Sequence, residues 1–315
     1  MMKKIARRFM PCVLMLFVLA AVARGQTAPA PSPSPQPTPP ANDIFLVEMA
    51  SAKGQLKVGE PKRITTWEGY NNQPLFLPEG RYLLYTSIRA DRQADIYRYD
   101  LRDGQTLRVT ETTKTSEYSP TPAPDGKSFS VIRVEEDGTQ RLWMFPLAGQ
   151  AAPTLILEKI KPVGYHVWID SQTLMLFILG EPVTMQLVDL KTGRAEIIAT
   201  NIGRSLHRVP RQRKISFVRK FSEQQWMIQA FDTQTHAIST LIKTLPGSED
   251  YIWTPQGTLL MANGSKLFKW NPAKDAGWQE VADFASAGLK TITRLSVSPK
   301  GDRLALVAQR VTAAP

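Results

Sequence analysis

Six times along the chain a Pro-x-Gly-x turn, intact or worn, separates two apolar runs, and this repeat constrains the fold more than any other feature. The copies start at Pro78, Pro124, Asp170, Pro210, Pro255 and Pro299, with first residues 46, 46, 40, 45 and 44 apart. That period suits one four-stranded propeller blade and is too long for the common helical solenoid repeats. Proline presets the backbone at the first corner and glycine accepts a left-handed one, so each copy predicts a tight reversal between antiparallel strands.

The copy at Pro124 shows the pattern in full. Ser119 to Ala123 leads into the turn, Ser128 to Val134 and Gln140 to Leu147 follow, and Thr154 to Leu157 completes four strands, with Glu136-Asp137-Gly138 and Ala148-Gly149 at the reversals. The preceding copy repeats this with Arg81 to Ile88, Asp95 to Leu101 and Thr106 to Thr110. The last copy holds only Arg294 to Val297 and Arg303 to Gln309. Its missing half stands at the other end of the chain, where Asp43 to Met49 reads as a third strand and Arg63-Ile64-Thr65 as a fourth. The expected fold is an all-β, six-bladed β-propeller over 43–310, closed by N-terminal strands that pair with the C-terminal blade and leave no open edge there. Blades are expected near 67–110, 111–157, 158–200, 201–243 and 244–283, with a composite of 43–66 and 290–310. Residues 311–315 form a short C-terminal tail.

Residues 1–25 carry the marks of a cleavable signal peptide: a basic start at Lys3, Lys4, Arg7 and Arg8, an apolar run from Cys12 to Val22, and small residues at Ala23 and Gly25. The run falls short of the ~20 residues of a bilayer span. Cleavage would lower the formal net charge of +11 by five and remove the only cysteine, Cys12. Neither disulfide nor thiolate chemistry is then open to the exported chain. Residues 26–42 are proline-rich; proline lacks an amide donor and fixes φ, so a disordered, extended linker is expected.

The segments Tyr118-Ser119-Pro120-Thr121-Pro122-Ala123-Pro124-Asp125-Gly126-Lys127 and Ile96-Tyr97-Arg98-Tyr99-Asp100-Leu101-Arg102-Asp103-Gly104 resemble the WD-repeat-like blades of the TolB-type six-bladed β-propeller family. The resemblance covers about residues 43–310 and implies a propeller that binds partners in the cell envelope. In that family an α/β domain precedes the propeller; here a proline-rich spacer takes that place.

No Gly-x-Ser-x-Gly elbow is present, and the chain lacks room for a hydrolase domain beside the propeller. His166 and His207 precede their turns on innermost strands, where two imidazoles from adjacent blades would face the channel. Their offsets from the turns differ by one residue, however, which points them to opposite faces unless a bulge intervenes. His236 belongs to a surface hairpin. The loops that enter the innermost strands and those that join second to third strands share one face. On that loop face and at the channel mouth the candidate binding residues are Asn72, Glu117, Tyr118, Tyr165, His166, Arg204, His207, Glu249 and Asp250, with Asn71, Arg219 and Lys220 nearby.

No closely spaced Asp/Asn ladder suggests a calcium loop, so neither metal nor cofactor is expected. Between Asn201 and Phe221 lie seven basic residues and no acid, and such runs are more often solvated hairpin charge than an anion site. Trp67 and Trp278 flank loops, whereas the other tryptophans fall at blade-packing positions. The residues together predict a periplasmic or secreted, monomeric, non-catalytic scaffold. Its expected partner is an envelope protein segment or a glycan; nucleic acid and a membrane span after cleavage are not expected. The alternative is a carbohydrate- or ester-active propeller enzyme, with or without calcium assistance, with carboxylates at the channel mouth.

Overall fold

Each blade is built from one gradient of burial. The computed structural model describes residues 39–52, 55–148 and 151–310. The expected signal segment, most of the proline-rich linker and the C-terminal tail lie outside the described residues. The chain begins its ring with β1 (Asp43–Ala52), β2 (Gln55–Val58) and β3 (Lys62–Arg63). The first complete blade follows as β4 (Asn71–Phe76), β5 (Tyr82–Ile88), β6 (Ala94–Asp100) and β7 (Thr106–Arg108). The second comprises β8 (Ser116–Pro122), β9 (Ser128–Val134), β10 (Gln140–Pro146) and β11 (Thr154–Leu155). The third holds β12 (Val163–Trp168), β13 (Thr173–Ile178), β14 (Thr184–Asp189) and β15 (Ala195–Thr200). The fourth is β16 (Ile202–Arg208), β17 (Lys214–Lys220), β18 (Trp226–Asp232) and β19 (Ile238–Lys243). The fifth is β20 (Tyr251–Trp253), β21 (Leu259–Asn263), β22 (Lys266–Trp270) and β23 (Gln279–Asp283). After one 3-10 turn, β24 (Leu289–Val297) and β25 (Arg303–Arg310) end the ring.

Every complete blade is an up-and-down antiparallel sheet of four strands. Its second strand is buried along nearly its whole length, as in Leu83–Ser87 of β5 and Phe129–Arg133 of β9. Both faces of that strand pack against neighbouring blades, so it reads as a continuous apolar run. The third strand is buried only in part, at Leu142 and Phe145 in β10, and the fourth has no buried position in β19. No helix among the described residues is long and apolar enough to cross a membrane.

Six apolar clusters hold the ring, one at each junction between neighbouring blades. Strand alternation assigns side chains to them: Leu83 and Tyr85 of β5 face the sixth blade, whereas Leu84 faces the second.

The sixth blade joins the two ends of the chain. Strand β1 pairs with β25 from Asp43↔Ala308 to Glu48↔Arg303, in the order β2-β1-β25-β24. The expected single fourth strand at Arg63 is instead shared: β3 pairs with Phe45 and Leu46, and the β1–β2 hairpin covers Met49 to Ala52. Asn42, counted in the linker by composition, already bridges to Tyr70 and belongs to the ring. A clasp of charge closes the seam. Asp43 accepts from Arg63 at 2.9 Å, Arg310 at 2.6 Å and Thr65 Oγ1 at 2.9 Å, while Glu68 pairs with both arginines.

Candidate functional site

Five residues before the start of each turn stand Gln73, Ser119, Tyr165, Ser205, Asp250 and Arg294, one per blade. All of them line a central cavity of about 430 Å³. The innermost strands reach it through bulges. Pairing of first to second strand shifts at Asn72/Leu75, Tyr118/Thr121, Val163/Tyr165, Ile202/Leu206 and Ile292/Arg294, and only the fifth blade runs in register. A bulge bends the strand and re-aims its side chains. His166 and His207 both line the cavity wall, each in regular register between its blade's bulge and turn. They keep opposite faces, as the one-residue difference in their offsets predicts: His166 packs toward Ser130 of the second blade and His207 toward Tyr251 of the fifth.

The histidines do not join in a shared site. His166 is buried, and its Nε2 lies 2.6 Å from Ser130 Oγ, which also accepts Trp168 Nε1–H at 2.9 Å. The fourth and fifth blades repeat the device: Ser216 Oγ accepts Tyr251 O–H and Trp253 Nε1–H, each at 2.9 Å, and donates to the His207 carbonyl at 3.3 Å. Ser130 Oγ likewise lies 3.3 Å from the Thr121 carbonyl. By this internal parallel His166 takes the place of Tyr251 and donates through Nε2–H, leaving a lone pair on Nδ1. Burial holds its pKa down at about 3. His207 packs edge-on to the Tyr251 ring, with centroids 4.9 Å apart, and burial brings its pKa to about 4. Both imidazoles are neutral at pH 7.

Charge in the cavity gathers on the fourth, fifth and sixth blades, at Arg204, Asp250 and Arg294. Asp250 accepts from Arg294 Nη1 at 2.7 Å, from Arg204 through two nitrogens including Nε at 3.1 Å, and from Ser205 Oγ at 3.3 Å. Burial works against its ionisation, but the Arg294 charge and the Arg204 hydrogen bonds prevail and lower its pKa. Arg294 also donates to Tyr165 Oη at 2.8 Å. Beside them Glu249 pairs with Lys220 at 2.8 Å, and the absence of a side chain at Gly203 makes room for it, since a Cβ there would lie 2.6 Å from Glu249 Oε2. Lys220 Nζ also sits 4.1 Å from the centre of the Trp226 ring. Asp250 is the only acid among the described residues that line the cavity, against Arg204, Arg208 and Arg294.

The candidates divide accordingly. Tyr165, His166, Arg204, His207 and Asp250 line the cavity, and Glu249 borders a groove that shares Tyr165 and Arg204 with it. Asn72 is buried and accepts the Gln73 N–H at 2.7 Å. Glu117 lies inside the blade instead of at the mouth: it is fully buried, bonded to Thr112, Thr115 and Arg133, and burial raises its pKa against those partners. Tyr118 packs into the core between the second and third blades. Asn71 is buried and accepts from Ser87. Among the described residues no three His, Cys, Asp or Glu side chains converge as a metal site would require.

The basic run splits between two faces. Arg204 and Lys220 are paired on the loop face, whereas Arg208, Arg213 and Lys214 border a second cavity below the third and fourth blades. His236 sits in its hairpin with Nδ1 3.7 Å from Glu196. Trp168 and Trp253 are buried between blades as expected, and Trp278 packs against Trp270 with ring centres 6.4 Å apart. Trp67 is 37% exposed.

No protein-family model and no curated protein sequence matches the chain. Solved structures do. A protein described as TolB from Agrobacterium tumefaciens aligns with a TM-score of 0.65 at 17% identity, over 86% of this chain and 99% of that one. TolB from Acinetobacter baumannii aligns at 0.54 and 16% identity, over 85% of this chain and 64% of that one. An oligogalacturonate lyase from Vibrio parahaemolyticus aligns at 0.51 and 13% identity, over 85% and 98%. At such identities the likeness is one of fold: the chain is a six-bladed β-propeller similar in architecture to TolB propellers and to an enzyme alike.

Proposed function

We propose that this is an exported, non-catalytic propeller of the bacterial cell envelope, periplasmic or secreted, that recognises a protein segment or glycan across its loop face and channel mouth. One observation carries the reading: the single carboxylate of the cavity wall, Asp250, is neutralised by two arginines. General acid–base work at neutral pH needs a group poised near that pH. Asp250 is held ionised and occupied, and His166 and His207 are held too far down to serve as bases. A rigid ring of bulged strands with mixed polar and apolar walls suits recognition, because little ordering cost falls on binding. Export rests on the N-terminal segment, and the envelope on the likeness to TolB propellers.

Photo-crosslinking in the native envelope tests the proposal. A probe at Tyr165 is expected to trap a discrete species that a probe at Leu107, exposed on the outer strand β7, does not trap. Turnover of a glycoside or ester that Asp250→Asn abolishes would replace this reading with the enzymatic one.

A further inference from the structure

The chemistry left over by the channel lies on the opposite face. Below the junction of the third and fourth blades is a cavity of about 400 Å³, lined in part by Arg208, Arg213 and Lys214. Among the described residues none of these three cations lies within ion-pair distance of a carboxylate. The acids nearby accept from their own turns, and Asp232 also acts on Lys214 through its charge. Asp170, the one carboxylate in the wall, accepts the Gln172 N–H at 2.8 Å within its own turn. Asp232, paired in register with Lys214, caps its own turn by accepting from Gln234 and Thr235 at 3.0 and 3.1 Å. Three cations thus border a concave site whose wall holds one carboxylate, with Asp232 beside Lys214.

Neutral donors complete the site. Gln212, Gln234 and Thr173, each with a side-chain donor, border the same cavity. A surface whose charge served only solubility would intersperse both signs. Here the turn at Pro210 and the turn after β18 bring their donors into one cleft, and Arg208 lines both this cleft and the channel.

We propose that this cleft is an anion site for a phosphate group, either free or carried by a lipid headgroup. Several oxygens, with a charge near −2 on free phosphate and −1 on a phosphodiester headgroup, answer three cations and their neighbouring donors better than a single carboxylate does. Arg208 and Arg213 supply planar forks to the oxygens, and Lys214 supplies a point charge.

The mature protein is titrated with inorganic phosphate at fixed ionic strength, reading heat of binding and thermal midpoint, with acetate as the matched control. Phosphate is expected to bind and raise the midpoint, as any ligand of the native state does. Acetate is not. The double variant Arg208→Gln/Arg213→Gln is expected to lose affinity about tenfold or more, whereas Lys300→Gln, at the tip of another turn, keeps it. In a second arm, vesicles of phosphatidylglycerol are compared with phosphatidylcholine. Binding to the anionic vesicles alone, lost in the double variant, assigns the phosphate to a lipid headgroup; binding of inorganic phosphate assigns it to a soluble ligand. Equal responses to acetate and phosphate, retention by the double variant, or no binding in either arm would overturn the site.

Discussion

At the scale of single residues, the repeat survives where its sequence does not. In the intact turns glycine takes the left-handed corner, at φ 67° for Gly126. In the fourth copy Arg211 occupies that region at φ 62°, while Gln212 still donates to the Val209 carbonyl at 3.2 Å. Left-handed backbone costs an L residue about 1–2 kcal/mol, part of which glycine returns as lost chain entropy. Arg211→Gly is therefore expected to stabilise the fold by up to about 1 kcal/mol. Gly126→Ala, with nothing within 4 Å of the new Cβ, should destabilise by about the same amount for backbone reasons alone. Urea unfolding of both variants decides it, and equal midpoints would mean that the turns relax. His166 gives a second prediction. Its folded pKa is about 3, below the ~6.5 of an unfolded chain. Above pH ~6.5 both states are neutral and its contribution is complete. As pH falls below that value the unfolded chain takes up a proton that the folded one resists, so each unit removes up to about 1.4 kcal/mol until the folded pKa is reached. His166→Gln should flatten the loss of stability between pH 7 and 5, and an unchanged slope would place the titrating group elsewhere.

At the scale of elements, neighbouring blades are joined by a recurring staple: a serine on a second strand accepts two donors from the next blade's first strand. Ser130→Ala strands Trp168 Nε1–H and His166 Nε2–H, and Ser216→Ala strands Tyr251 O–H and Trp253 Nε1–H. Each buried donor left unsatisfied costs about 1–3 kcal/mol, so either variant should lose about 3 kcal/mol. The exposed Ser171→Ala serves as the reference, expected near zero, with chemical denaturation as the measurement. Losses below about 1 kcal/mol would show that water replaces the serine. These staples mark where the sequence is legible and where it is not. The blades could be read because turn chemistry and apolar runs act locally, and Lys266 to Trp270 reads as a strand from its residues alone. The staples obey the same register, with Trp168 and Trp253 both two residues before a turn and Ser130 and Ser216 both six after one. The cavity ring keeps its register too, but its six members are of five residue types, so only the offset reveals Gln73, Ser119, Ser205 and Arg294. Glu117 misleads for the converse reason. A carboxylate two positions into a strand looks solvent-facing until Arg133, sixteen residues on, is placed beside it.

At the scale of the whole molecule, stability depends on closing a circle with a strand from the far end of the chain. The two faces of β1 serve different neighbours: Ile44 packs toward the first blade, and Phe45, Val47 and Met49 toward the fifth. Each buried side chain of this size contributes about 2 kcal/mol, so β1 carries an amount comparable to the whole net stability of an ordinary domain. Without it, β25 would present an unpaired edge backed by Leu304 and Leu306, which are fully buried in the closed ring. Deletion of residues 43–66 is accordingly expected to yield aggregates, seen as a void-volume species in size-exclusion chromatography. A milder variant separates the clasp from the strand. Asp43→Ala keeps β1 but leaves Arg63 and Arg310 only the exposed Glu68 as a shared partner, both arginines remaining partly exposed to water. It should stay monomeric and lose about 2 kcal/mol, below the cost of breaking a fully buried pair because solvent screens the arginines. A truncated chain as soluble and heat-resistant as the full one would mean that five blades and an open edge suffice, and that the pairing of the termini is ornament instead of closure.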